Sequence, residues 1–394
     1  MSWRRIAVTA GLIACRATTG AHAAEATCAG YPRVAIKAPP GYCVGRVADA
    51  RDGLRMPRRL LEVAPGRFWI TDLGSWEPGR GRLLELRPNA APAERLRVLA
   101  QGLDRPNGLA LGPDGRVHVG EAGVVWRTPV AEAVEREDLI TGLPSDGAHP
   151  LKELALAGAD RLYINVGSAS DVCRDEHQQL PVPCPETQGP RPRAAIYEAR
   201  LASPGLTLQS LRPYATGLRN SLGLVAMPGS GRLWQAENSV DYPDADLPAE
   251  ELNELSAGAD YGWPYCVSDT RGRSVVTRGY EDRVQCAQHH AAAQAWPAHA
   301  APLQLLAVPQ AAPGQAALPW SGRLVALWHG WRDNGHRVAA WRLGADGRPR
   351  GPRETLLGPW PGGAPTGATV DHLGRLWVVE DRNRTVLIVA PDVR

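Results

Sequence analysis

One strand phrase constrains this chain more than any other feature: an arginine, a large apolar residue, then bulky and polar residues in alternation, occurring six times. The copies are RFWITD from Arg67, RVHVGE from Arg116, RLYINV from Arg161, RLWQAE from Arg232, RLVALW from Arg323 and RLWVVE from Arg375. Most follow a turn of Gly, Pro or Asp, such as GPDG at 112–115, so each reads as a tight turn feeding a β-strand. The starts lie 49, 45, 71, 91 and 52 residues apart. The short spacings fit a four-stranded unit, and the two long ones contain insertions. A lone four-stranded sheet cannot bury both of its faces, whereas units packed side by side in a closed ring can. The expected fold is therefore all-β, a six-bladed β-propeller. It forms a single domain over 25–394 with insertions at about 171–195 and 239–301. The 42 Gly and 35 Pro supply the many turns this requires, and no long amphipathic helical pattern competes with it.

The first residues run MSWRR, then the apolar IAVTAGLIA, then a small-residue stretch ending AHAA. That is the order of an export signal over 1–24, and the apolar run is too short to span a bilayer. LIAC at 12–15 also resembles a lipoprotein cleavage box, which would put a lipid on Cys15. The expected location is periplasmic or secreted, with a membrane anchor only if Cys15 is lipidated. The formal charge of +3 includes Arg4, Arg5 and Arg16, with no acid before Glu25, so the body of the chain is neutral. A neutral body argues against a nucleic-acid partner.

Six cysteines remain after either processing route, and they fall as neighbours: Cys28 with Cys43, Cys173 with Cys184, Cys266 with Cys286. An exported protein retains disulfides. Of the 15 pairings that six cysteines allow, the local one is expected, because the last two pairs lie in the insertions, where a loop most needs a staple. No CxxC or CxxCH occurs, so neither a thiol redox site nor covalent haem is indicated.

In a ring of repeats the functional residues are those that break the repeat in the loops at one end of the channel. His149 in DGAHPLKELAL precedes the third repeated strand, where the neighbouring copies have Asn107 and Ser221. A histidine there can act as a base at neutral pH; the alternative is a surface histidine, one of ten in the chain. Arg219 and Asn220 in ATGLRNSLGL hold the equivalent place one unit later. Arginine offers a planar fork for a carboxylate or quinone oxygen, and asparagine both donates and accepts; the alternative for Arg219 is a salt bridge to a neighbouring blade. DLPAEELNELSAGADYGWPYC, from Asp246 to Cys266, offers the carboxylate and carbonyl oxygens that calcium takes; the alternative is a solvated acidic loop. At the sixth position of the repeat, Asp72, Glu121, Glu237 and Glu380 recur, and recurrence points to hydrogen bonding at blade ends rather than to catalysis or a metal cluster.

The phrases ATGLRNSLGL, GRLWQAEN, DLPAEELNELSAGADYGWPYC and GAHPLKELAL together resemble the glucose/sorbosone dehydrogenase family of soluble quinoprotein sugar dehydrogenases, and within it the sorbosone-dehydrogenase-like branch. The resemblance runs from about Ala38 to the C-terminus. It implies a six-bladed propeller that binds pyrroloquinoline quinone and calcium. By resemblance His149 is the catalytic base, Arg219 is catalytic and contacts the quinone together with Asn220, and Glu251 and Tyr261 hold calcium. ALWHGWRDNGHRV, from Ala326, matches a further family phrase with an offset that makes His329, Trp331 and Arg332 cofactor contacts. Where the family has basic residues that clamp the cofactor before the last repeated strand, this chain has GGAPTGATV from Gly362. The implied reaction is oxidation of a sugar, or a related aldehyde or alcohol, by hydride transfer to the quinone. An external acceptor, a quinone or a cytochrome, then removes the electrons. Two other readings stay open on the residues alone: a calcium-dependent lactone hydrolase of the gluconolactonase type, since RPNGLALGPDGRVHV also suits those propellers, and a propeller that binds a ligand without redox chemistry.

Overall fold

Each recurring phrase becomes the second strand of a four-stranded antiparallel meander, and six meanders close into a ring. The computed structural model describes residues 26–202, 206–330 and 332–393; the expected export signal and Cys15 lie outside them, as does Trp331. Blade 1 comprises Pro57–Ala64, Arg67–Asp72, Gly81–Leu86 and Leu96–Leu103. Blade 2 has Leu109–Leu111, Arg116–Gly120, Val125–Pro129 and Glu137–Ile140. Blade 3 has Leu154–Ala157, Arg161–Val166, Ala195–Ala202 and Thr207–Thr216. Blade 4 has Gly223–Ala226, Leu233–Glu237, Glu250–Leu255 and Gln294–Trp296. Blade 5 has Pro302–Val308, Arg323–Trp328, Arg337–Leu343 and Pro349–Leu357. Blade 6 has Pro365–Val370, Leu376–Glu380 and Thr385–Pro391, and its outer strand is Tyr42–Ala48 from the other end of the chain. Pairing Pro391 with Tyr42 and Val386 with Ala48 shuts the ring. The only helices among the described residues are three-residue 3-10 turns.

The repeat is legible because both faces of its strand are buried. Second-position residues Phe68, Val117, Leu162, Leu233, Leu324 and Leu376 are no more than 2% exposed, and the third-position Trp69, Tyr163, Trp234 and Trp377 are buried on the opposite face. Successive side chains point to opposite faces, so one face packs on the preceding blade and the other on the following one. The sixth-position acids pin the loops that enter the ring. Asp72 accepts from the main-chain N–H of Met56 at 2.8 Å and Gly74 at 2.9 Å, Glu121 from Asp104 N–H at 2.6 Å, Glu237 from Asn220 N–H at 3.0 Å, and Glu380 from Asn383 N–H at 3.1 Å.

The three local disulfides form, with Cα separations of 5.8 Å for Cys28–Cys43, 6.0 Å for Cys173–Cys184 and 5.8 Å for Cys266–Cys286, inside the usual range for an unforced bridge. The first ties an N-terminal hairpin to the closing strand. The others staple the loop between the second and third strands of blade 3 and the excursion of 256–293 that interrupts blade 4. That excursion docks on Gly217, whose φ is 72° and whose missing Cβ would lie 2.1 Å from Asp260 Oδ1. Gly217→Ala is therefore expected to destabilise the protein by more than about 1 kcal/mol, measured by urea unfolding.

Candidate functional site

In an antiparallel meander the loop entering the first strand and the loop joining the second to the third emerge from the same end. His149, Arg219 and Asn220 stand in entering loops, His329 and Arg332 in a second-to-third loop, and Glu251 at the start of a third strand. One end of the ring thus carries them all.

His149 and Arg219 are brought together by Ser168, which follows directly on the repeated strand RLYINV. The His149 ring Nδ1 lies 3.0 Å from the Ser168 carbonyl oxygen and 2.9 Å from its Oγ, and the Ser168 N–H donates to the Arg219 carbonyl at 2.8 Å. The Ser168 hydroxyl donates its proton to Ser170 O at 2.7 Å, so the proton between Ser168 and His149 belongs to Nδ1. Nε2 is then the free acceptor. A side chain at Gly167 would put its Cβ 2.5 Å from the His149 Cβ, so the close approach depends on glycine. Burial, and secondarily the positive charge of Arg219, push the His149 pKa down to about 3. The imidazole is therefore neutral at physiological pH.

Arg219 is 4% exposed. Its Nη1 donates to Asn238 O at 3.1 Å, and its Nη2 lies 2.8 Å from Asp171 and 2.9 Å from Asp241. Its buried Nε has no protein partner. Both the ion pair expected as the bland alternative and a spare donor are present on one fork. Asn220 is fixed through its main chain, its N–H on Glu237 and its carbonyl accepting from Asn238 at 3.1 Å.

A second group sits across the same mouth. His329 Nε2 is 2.9 Å from Asp381 Oδ1, and Asp381 Oδ2 is 2.9 Å from Nη1 of Arg58, itself 3% exposed. Burial alone would raise the Asp381 pKa, but the His329 hydrogen bond and the charges of His329 and Arg58 outweigh it and hold the carboxyl low. Arg332 bonds the main chain of blade 4, with Nη1 donating to Asp244 O at 2.7 Å. Sequence reasoning missed Arg58, Ser168 and Asp381. Each adjoins a repeated phrase or an inner strand, which was the available signal.

The stretch 362–370 lacks basic residues for a reason of space. A Cβ at Gly363 would lie 2.3 Å from Asn383 Nδ2 and 2.5 Å from Glu380 Oε2. Thr366 is committed to the ring, its hydroxyl donating to Pro57 O at 2.9 Å. Arg58, on the next inner strand, brings the basic group instead.

Below the mouth the channel is closed. Arg59, 1% exposed, donates through Nε to Glu153 at 2.7 Å and through Nη1 and Nη2 to the carbonyls of Thr366, Leu222 and Leu303. Asn107 Nδ2 adds a bond to Glu153 at 3.0 Å, and its Oδ1 lies 3.4 Å from Arg58 Nε. These residues belong to or enter all six blades, so one guanidinium joins the ring at its axis and makes the floor of the site. Asn107 and Ser221, the counterparts of His149, serve this frame, Ser221 by donating to Glu237 at 3.2 Å.

Beside Arg219 lies a small pocket with about 10 Å³ of room for a water-sized sphere, lined in part by Glu237, Ser239, Glu251 and Tyr261. That is space for about one water or small ion. Burial raises the pKa of Glu237 to about 8 and raises that of Glu251. Tyr261 lines the same pocket as Glu251, but its hydroxyl is committed elsewhere. Its hydroxyl donates to Glu254 O at 2.7 Å and accepts from Ser256 N–H at 3.1 Å. Among the described residues no group of three or more His, Cys, Asp or Glu is arranged to hold a metal.

The ring is a six-bladed β-propeller whose entry loops gather these residues at one end. The family model for glucose/sorbosone dehydrogenase matches residues 123–324, and the chain belongs to that family. Among solved structures, the calcium structure of a family AA12 carbohydrate-active enzyme from Trichoderma reesei is similar at 21% identity and a TM-score of 0.71, covering 93% of this chain and 99% of that one. The holo form of the pyranose dehydrogenase PQQ domain from Coprinopsis cinerea is similar at 21% identity and 0.70, covering 92% and 99%. The apo-form of the soluble aldose sugar dehydrogenase from Escherichia coli is similar at 16% identity and 0.63, covering 89% and 99%. At these identities the likeness is one of fold. No curated protein matches the chain.

Proposed function

We propose that this protein is a sugar dehydrogenase that uses pyrroloquinoline quinone, with His149 as the general base. The observation that carries the reading is the fixed pair: a neutral imidazole with its Nε2 free, beside a buried guanidinium with an orphan Nε. Family membership and the cofactor named for the Coprinopsis domain support it. Arg219, Asn220, Arg58 and His329 are the residues that would hold a planar polyanionic cofactor, the two buried arginines supplying charge and Asn220 an amide. Bound there, the quinone supplies a two-electron hydride acceptor. His149 Nε2 takes the hydroxyl proton of the substrate as the C–H hydride leaves. Arg219 places fixed positive charge where negative charge develops, in a site closed to water from below by Arg59 and Glu153. An external quinone or cytochrome would be the electron acceptor. We further propose that the chain is exported through its first 24 residues.

Glu237 and Glu251, which line the pocket beside Arg219, are the carboxylates that would hold a calcium ion there, with main-chain carbonyls and hydroxyls completing the set. Calcium at about a hundred times its Kd is expected to stabilise the protein by about 2.7 kcal/mol. Glu251→Gln should remove most of that shift, read from melting curves with and without the ion; equal shifts in both proteins would make the cavity purely structural. The deciding assay mixes protein, calcium and pyrroloquinoline quinone with a dye acceptor over a panel of aldoses and aldehydes. Lactone cleavage with calcium alone would favour the hydrolase, and cofactor-independent ligand binding without turnover the binding module.

A further inference from the structure

The phrase GAHPLKELAL carries a residue with no place in the mechanism above. Lys152 is 0% exposed, and its Nζ donates to Pro144 O at 2.8 Å and to Pro150 O at 2.6 Å. Those two carbonyls stand at the two ends of the loop that carries His149. Neither is a carboxylate, and no ion pair of Lys152 exists among the described residues. The acids nearby are claimed by others. Asp104 pairs with Arg105 at 2.6 Å in the loop entering blade 2, and Asp146, on the His149 loop itself, pairs with Arg193 from the second-to-third loop of blade 3. Glu153 is turned to Arg59 at the axis. Gly120 packs against the lysine stem, and the next residue, Glu121, is bonded to Asp104 N–H, Trp126 and Arg136. A buried ammonium without a counter-ion is costly, so this one stands where its two hydrogen bonds matter.

Buried Leu143 and Leu151 anchor the two flanks of the His149 loop, while Asp146, Gly147 and Ala148 at its centre are exposed. Outward it is tied by the Ala148 N–H on Ala169 O at 2.8 Å, by Arg193 on the carbonyl of Asp146 at 3.0 Å and on its carboxylate, by the His149 ring on Ser168, and by the close approach of Gly147, whose missing Cβ would be 2.5 Å from the Ala169 Cα. We propose that Lys152 is a positioning residue, its ammonium clasping the two ends of the 144–150 loop and so fixing His149 against Ser168 at the mouth. The catalytic part of this rests on the reading of His149 as the base.

Burial, then the charges of Arg193 and Arg105, push the Lys152 pKa down to about 7, against Asp104 and Asp146. The clasp is therefore charge-assisted below about pH 7, and above it the neutral amine donates more weakly. Global stability moves the other way. The unfolded lysine holds its proton to about 10.5 and the folded one only to about 7, so between these values the unfolded state binds more protons and this group makes stability rise with pH.

The test is hydrogen exchange on the peptide spanning 143–152, corrected for the intrinsic pH dependence, in wild type and Lys152→Met from pH 6 to pH 9, with kcat and cofactor affinity measured alongside. In wild type, protection of 144–150 should fall with a midpoint near pH 7, about ten-fold overall, while the global melting temperature does not fall with it. Lys152→Met should show the low protection at every pH, with kcat reduced about ten- to hundred-fold and cofactor Kd within about two-fold of wild type. Wild-type protection in Lys152→Met, or a flat wild-type profile, overturns the clasp. Should Lys152→Met not fold, the wild-type series decides alone. If wild type oxidises no sugar, the exchange data still judge the clasp, and the proposed function fails separately.

Discussion

His149→Ala is expected to lower sugar oxidation by about two to four orders of magnitude, the range of a positioned general base, while cofactor affinity stays within a few-fold. The imidazole is held by Ser168 through Nδ1 and offers Nε2 to the mouth, so its loss removes a proton acceptor and leaves the fork of Arg219 in place. Arg219→Ala should differ, weakening cofactor binding and turnover together, because its charge acts on the cofactor. Steady-state kinetics beside a cofactor titration separate the two. Full activity of His149→Ala on any sugar that wild type oxidises would make His149 a structural residue and end the mechanism at its first step. Burial and Arg219 hold the folded pKa near 3 against an ordinary value of 6.5. In the cofactor-free protein an NMR titration should therefore show this imidazole neutral down to below pH 4. Its unfolded form takes up a proton first, so its contribution to stability falls as pH drops below about 6.5.

Glu153→Leu is expected to cost about 3–5 kcal/mol of stability, because it leaves the Arg59 charge buried and uncompensated at the axis of the ring. Against a typical total of about 5–15 kcal/mol, that brings the fold close to failure. Glu153→Gln should cost less, since an amide oxygen still accepts from Arg59 Nε at the same place. Chemical unfolding of the three proteins gives the order. A loss under about 1 kcal/mol in Glu153→Leu would mean that the carbonyls of Thr366, Leu222 and Leu303 alone satisfy the guanidinium.

The neighbouring residues His149, Lys152 and Glu153 show how unevenly a site is written into a chain. His149 stood out because it breaks a repeat. Lys152 and Glu153 lay in the same quoted phrase without a signal, since a Lys-Glu pair in a sequence is most often a solvated one. Only burial gives the first its two proline carbonyls and the second its arginine at the axis. Tyr261 lies where its phrase put it, beside the pocket that Glu251 lines, but its hydroxyl donates to the main chain at Glu254. Arg58 could not be chosen from Arg55, Arg59 and the other arginines around it until blade 6 placed Asp381 beside it.

The sequence by itself determined the number of blades, the strand that recurs in each, the pairing of neighbouring cysteines and the end of the ring where repeat-breaking residues gather. These are local or periodic properties, set by side-chain alternation, turn chemistry and short loop closure. Only the tertiary structure decided which histidine nitrogen is free, that Ser168 joins His149 to Arg219, that Arg58 stands beside Asp381 next to the stretch without basic residues, and that Arg59 with Glu153 seals the floor. Those outcomes depend on contacts between blades far apart in the chain, and on desolvation at the axis that exists only once the ring has closed.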